Sequence, residues 1–318
     1  MNKGIVIDRD VTCEGSTHAI RVANADVELA LSTDFGPRVL HYAPRGGENV
    51  FGFVSPREQA KPTSFGGPWH IYGGHRLWHA PEDPVLSYVP DNDPVEVRID
   101  GATLIVARSV EPGTSLVKEL KVTLDDAGSR VVVEHRIGNA GNRTVRLAPW
   151  ALSVMARGGV AIVPNAPFVP FPDALLPSSR LVLWPYTALG DPRFTFGRRY
   201  MRIAQDPLAA AAQKIGVFEP HHGWVAYAVG ARVFVKRYAP PTTDSKLVDF
   251  GCNVEVFTNG AFLELETLGE EKVLGPGESA IHAEHWYLFD DVVLPAGDEE
   301  AHRVLEPLLA RTVGLTAT

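Results

Sequence analysis

Between residues 253 and 268 the chain reads NVEVFTNGAFLELETL, and its polar residues recur at every second position. Val254, Val256, Leu263 and Leu265 fall on one face of a β-ribbon, and Asn253, Glu255, Glu264 and Glu266 on the other. Side chains alternate across a strand, so three carboxyl groups and an amide gather on one patch. Like charges opposed across a ladder repel. Such a patch is therefore either a solvated outer face or a polar surface where carboxylates meet hydroxyls or a proton. A second chemistry-bearing stretch, residues 66–84 (GGPWHIYGGHRLWHAPEDP), is dense in glycine, tryptophan and histidine. Arg76 brings a planar donor fork suited to hydroxyls or a carboxylate. His75 and His79 titrate near neutral pH and suit proton transfer, and Trp78 offers an apolar face. Each of these also has a structural reading, as a satisfied hydrogen-bonding group or as core. Cations are conceivable on His75 and His79 or on Glu255, Glu264 and Glu266. The histidine spacing, however, has no helical meaning in a glycine-rich loop, and neither a metal nor a cofactor is expected.

The elements that must position these residues read as strands. Asn259-Gly260 predicts a two-residue type I′ turn, which would set Glu255 opposite Glu264 and Asn253 opposite Glu266. Asp100-Gly101 and the run 125–128 predict two further hairpins, over 95–108 and 116–137. Residues 27–32, 38–42, 144–155, 180–186, 200–204, 214–218, 224–229, 232–238 and 279–289 are also strand-like, with Pro149 marking a bulge or an edge. Residues 66–84 lack a clear period and read as a loop. Helical spacing is confined to 207–213 and to 299–313, where Val304, Leu305, Leu308 and Leu309 share a face. The pattern predicts an all-β fold, a large antiparallel β-sandwich with a short C-terminal helix, in one domain over 1–318.

Composition narrows the partners. The 318 residues carry a net charge of −8 and no long basic run, which argues against nucleic acid. Two distant cysteines, Cys13 and Cys252, give no disulfide framework. No apolar run approaches bilayer length and the first residues carry charge, so the expectation is a cytoplasmic protein without a membrane partner. No phosphate-binding loop and no serine-nucleophile elbow is present.

The segment FLELETLG, followed by LGPGES and AEHWYLF, resembles the C-terminal part of the galactose mutarotase-like superfamily. The longer pattern LVLWPYTALGDPR, QKIGVFE and DFGCNVEVFTNGAFLELETLG is similar to a bacterial branch of it, and the resemblance extends from about Phe35 to Phe289. It implies a sugar bound in a shallow cleft on one concave sheet of a supersandwich. By the same resemblance Glu266 takes the place of the general base of the aldose 1-epimerases, and the His75–His79 segment that of substrate-contacting Arg and His residues. One position departs. Trp150-Ala151 stands where those enzymes carry an Asn-His pair with the acid. His75 and His79 are then the candidates for the acid, with Arg76, Glu264, Glu255, Asn253 and Trp78 as substrate contacts. The resemblance implies an aldose 1-epimerase-like isomerase acting on a small-molecule sugar. The alternatives are a carbohydrate-binding protein that has lost its acid and a glycoside hydrolase or lyase, which a pair of cleft carboxylates would also suit.

Overall fold

The computed structural model describes residues 4–57 and 59–315. Two large antiparallel sheets face each other. The eleven-stranded sheet runs, from edge to edge, Val6–Cys13, Ser16–Ala23, Val27–Ser32, Arg38–Pro44, His75–Ala80, Val145–Met155, Leu263–Leu268, Val254–Thr258, Gln213–Phe218 and Arg180–Leu183, with Lys272–Leu274 paired to the start of Val145–Met155. The ten-stranded sheet runs Phe194–Phe196, Tyr200–Ala204, Val160–Pro164, Trp224–Val229, Arg232–Tyr238, Ser279–Phe289, Val131–Asn139, Leu116–Leu124, Thr103–Ala107 and Glu96–Asp100. Alternation decides what each face meets. Leu77, Met155, Ile215, Val217, Val254, Val256, Leu263 and Leu265 pack with Leu120, Val133, Phe234 and Trp286 into the core between the sheets. The helix Asp298–Leu309 buries Leu305 and Leu308 against Ile162, Trp224, Val233 and Val235 on the outer face of the ten-stranded sheet.

The outer face of the eleven-stranded sheet is not a solvated surface. Trp69, Trp78, Trp150, Leu152, Phe262 and Leu268 form a second buried cluster there. Several strands are therefore buried on both faces, which erases the alternation that marks a half-exposed strand. This is why residues 75–80, read as loop from the sequence, are a fully buried strand, His75–Ala80, in the middle of the sheet.

The Asn259 turn keeps the expected faces but not the expected register. Glu255 lies opposite Glu266, Val256 opposite Leu265 and Thr258 opposite Leu263. The loop is four residues long because the Asn259 side-chain oxygen accepts from Ala261 N (2.8 Å) and Phe262 N (2.9 Å), closing an Asx-type turn. A slip of two residues preserves parity, so the carboxyls and the core residues stay on their own sides. Pro149 lies in a central strand rather than at an edge. Its missing N–H falls where Val145–Met155 changes partner, between Leu147 opposite Lys272 and Trp150 opposite Leu268. Residues 207–212 form turns, not the expected helix.

Candidate functional site

Five neighbouring strands send side chains onto the same outer patch: Arg76 and Trp78, Trp150 and Leu152, Glu264 and Glu266, Glu255 and Phe257, and Lys214. Loops raise walls around them. Trp69, Glu82 and Tyr88 stand on one side, and Trp184, Tyr186 and Asp249 on the other. Two adjoining hollows result, of about 480 Å³ over Arg76, Trp78, Trp150, Lys214 and Glu264, and about 310 Å³ over Lys61, Glu82, Lys214, Asp249 and Glu255. Gly216 makes the far wall possible: a Cβ there would lie 2.8 Å from Cys252 Sγ and 3.3 Å from the Trp184 ring.

The floor is a chain of charges. Lys214 Nζ lies 2.6 Å from Glu255 Oε2 and 3.1 Å from Glu266 Oε2. Its ammonium sits over the rings of Trp150 (4.6 Å) and Trp184 (4.8 Å). Burial opposes its charge, yet Glu255 and Glu266 hold its pKa well above the usual lysine value. Burial pushes Glu266 well above the carboxylate range, against Lys214 and with added repulsion from Glu255 and Glu264. Glu266 Oε2 also accepts from Trp150 Nε1 at 2.8 Å, while its Oε1 has no hydrogen-bond partner among the described residues. One ammonium thus serves two carboxyls, and Glu266 is the one held toward the neutral acid. Beside this pair, Arg76 Nη1 donates to Glu264 Oε1 at 2.7 Å, with its guanidinium stacked 4.6 Å from the Trp78 ring centre.

Asp249 was not singled out in the sequence. It lies half-buried in the cleft wall, on a turn in which Asp249, Phe250 and Gly251 all have positive φ (48°, 56° and 85°). Two consecutive non-glycine residues in that region are costly and need support from their surroundings. Here the turn brings the Asp249 carboxyl to Glu255. Burial, then the Glu255 charge, raises it to about 7, with Lys214 opposing. Cys252, on the same turn, donates its thiol to Glu255 Oε1 at 3.2 Å. The only sequence signal for Asp249 was its place in DFGCN, just ahead of the carboxylate ribbon.

Several expected site residues lie elsewhere. His75 points into the core, because it alternates with Arg76 on a strand. Its Nδ1 lies 2.8 Å from Ser153 Oγ and its Nε2 2.6 Å from His135 Nε2. His135 Nδ1–H donates to the His282 carbonyl (2.9 Å), so His135 Nε2 accepts from His75 Nε2–H, and His75 Nδ1 accepts from Ser153. Both rings are neutral and satisfied, and burial holds both pKa values low. His79 has the same parity. It faces a separate groove with Leu116, Asn139 and Leu147, and burial lowers it to about 3. No histidine among the described residues lines the cleft. Asn253 is spent on backbone: it accepts from Glu219 N (2.7 Å) and donates to Glu219 O (3.1 Å). Glu266 itself is 0% exposed, under Lys214 and Trp150, and does not line either hollow. Arg76, Trp78, Glu264 and Glu255 do line them.

Metal-capable atoms gather inside the sandwich instead. One atom each of His75, His135 and Glu284 lie within 4.8 Å of one another. Glu284 is already neutralised there: Lys236 Nζ donates to it at 3.1 Å, Trp286 Nε1 at 2.6 Å and Thr267 Oγ1 at 2.5 Å. No helix among the described residues is long and apolar enough to cross a membrane.

Neither a family model nor a curated protein matches the chain by sequence. Solved structures match it by fold. A TPR-domain containing protein from Parabacteroides distasonis aligns with a TM-score of 0.55 at 14% identity, over 88% of this chain; the chain spans 49% of that protein's length. A proposed aldose 1-epimerase from Klebsiella pneumoniae aligns at 0.54 and 13% identity, over 96% of this chain and 87% of the other. A galactose mutarotase-like protein from Lactobacillus casei aligns at 0.50 and 10% identity, over 85% and 100%. With two facing antiparallel sheets and a walled hollow on the larger one, the chain has the galactose mutarotase-like β-sandwich fold.

Proposed function

We propose that the cleft binds a free aldose and interconverts its anomers, with Asp249 as the proton-transferring group and Lys214 as the fixed cation beside it. The observation that carries this reading is the aromatic-walled hollow lined by Asp249, Glu255 and Lys214, with Glu266 buried beneath Lys214. Trp78, Trp150, Trp184 and Tyr88 offer faces for the C–H surface of a sugar ring, and Arg76, Glu264 and Glu82 offer hydroxyl partners. An acid–base group works best with a pKa near the working pH, which the value of about 7 for Asp249 meets. Ionised Asp249 takes the proton of the anomeric hydroxyl. The Lys214 ammonium stays charged and stabilises the negative charge that develops on the ring oxygen as its bond to C1 breaks, and protonated Asp249 passes its proton to that oxygen. Rotation about C1–C2 and closure with the roles reversed give the other anomer. Glu255 and Glu266 hold Lys214 in place and charged.

A second reading, sugar binding without catalysis, is favoured by the burial of Glu255 and Glu266 and by the lack of a histidine among the described cleft residues. Polarimetry of freshly dissolved aldoses, with saturation-transfer NMR for binding, separates the two. We expect wild type to exceed the spontaneous rate, and Asp249→Asn to lose ~10²–10⁴-fold while still binding, the usual worth of general acid–base catalysis. Binding without acceleration leaves the binding-protein reading. Absence of binding across neutral, acidic and phosphorylated sugars defeats both.

A further inference from the structure

The segment that enters the edge strand Arg180–Leu183 carries large apolar side chains in solvent, with the Arg198 guanidinium 3.6 Å from the ring centre of Phe168. Every residue from 167 to 181 is exposed, and 165–179 has no helix or strand. Within it Phe168 is 61% exposed, Val169 49%, Phe171 85%, Leu175 74% and Leu176 86%. Only Asp173 and Arg180 are charged between 166 and 181. An ordinary solvated loop does not concentrate its largest apolar residues this way. A fully exposed aromatic presents roughly 150–250 Å², so with leucine and valine counted somewhat lower these five residues expose about 600 Å². Monomeric soluble proteins seldom leave a patch larger than a few hundred Å² uncovered.

Two features beside the arm are suited to receive one like it. At its root lies a groove of about 510 Å³ whose apolar walls come from Pro164, Phe168, Tyr200, Trp224 and Leu309, with Arg198, Arg199, His222, His302 and Glu306 along its polar side. Past its far end, Arg180–Leu183 closes the eleven-stranded sheet, and no strand of the described residues pairs its outer edge. An arm, a groove and an open strand edge on one surface form a self-complementary set, as a two-fold interface requires.

We propose that two copies of this chain associate through this surface, the Phe171–Leu176 part of each arm packing into the groove at the root of the other. The area supports it. The Phe171–Leu176 part of each arm presents about 400 Å², and because the two-fold contact is made twice, each partner gives both an arm and a groove toward the ~800 Å² per partner of a standard stable interface. The contact itself adds little repulsion to the net charge of −8 on each copy: between 166 and 181 the arm carries only Asp173 and Arg180, of opposite sign.

Sedimentation velocity at tens of micromolar tests this. The 34.6 kDa chain is expected to run at twice its mass, and the double variant Phe171→Asp, Leu176→Asp at its monomer mass. Both replaced side chains are exposed, so the near-UV circular dichroism of the variant is expected to match wild type, which separates lost association from misfolding. A wild type that is monomeric at these concentrations overturns the proposal, and so does a variant that stays dimeric. A monomer that co-sediments with phosphatidylcholine vesicles through Phe171 and Leu176 also overturns it, with a membrane surface as the occupant instead.

Discussion

Lys214 shows how much one side chain decides in the cleft. It is the cation within reach of both Glu255 and Glu266, and all three are almost wholly buried. Removing one partner of a buried ionic group strands the other. Lys214→Met is therefore expected to cost about 3–5 kcal/mol near pH 8 and clearly less near pH 5. The sign follows from the stranded carboxyls. Their folded pKa values rise above the unfolded ones, so stability is retained at low pH and lost as pH rises through the folded values. Urea denaturation at the two pH values measures this, and a larger cost at the acid end contradicts the assignment. The interior histidines act in the opposite sense. Burial, then the neighbouring His135, lowers His282 to about 3 against an ordinary 6.5. Below 6.5 the unfolded chain gains a proton that the folded one refuses, so this contribution is full above 6.5 and is lost as pH falls toward 3. His282→Gln should lose less stability than wild type over that window. Equal losses would mean that His282 is not held neutral.

At the scale of elements, the ribbon Val254–Thr258 and Leu263–Leu268 depends on its turn. Asn259 satisfies two backbone N–H groups with one side-chain oxygen, at 2.8 and 2.9 Å. Asn259→Ala gives up both bonds and is expected to cost about 1–2 kcal/mol, read as a lower urea midpoint with an unchanged slope. An unchanged midpoint would show that strand pairing alone sets the loop. The strand His75–Ala80 illustrates a different dependence. Its odd positions supply the core with His75 and Leu77, and its even positions supply the cleft with Arg76 and Trp78. A one-residue slip would exchange the two sets, and the pairing of Arg76 with both Arg38 and Leu152 holds the register.

Across the whole molecule, the two sheets are joined by a centre that is aromatic and polar at once. Trp286 is fully buried, with its ring 4.6 Å from His75, 5.4 Å from Phe51 and 5.9 Å from Phe234, while its Nε1 donates to Glu284 at 2.6 Å. Trp286→Ala opens a cavity and leaves a buried carboxylate oxygen without its donor. A loss of about 3–5 kcal/mol in guanidinium unfolding is expected. A loss below about 1 kcal/mol would mean that the two sheets close over the gap.

Local alternation and turn chemistry were enough to predict an antiparallel sandwich, the C-terminal helix and the sorting of Val254, Val256, Leu263 and Leu265 from Glu255, Glu264 and Glu266. These are properties of residues close in sequence, where a period of two or a helical spacing leaves its mark. Sequence could also bring Arg76 and Trp78 forward as site candidates, through their composition and a resemblance. It could not tell which way His75 and His79 point, because a strand buried on both faces carries no alternation to read. Nor could it find Asp249 and Lys214. They meet Glu255 and Glu266 only through pairing with Gln213–Phe218 and through a turn of unusual backbone conformation, and pairing between distant strands is decided by the packing of the whole sandwich rather than by either segment alone.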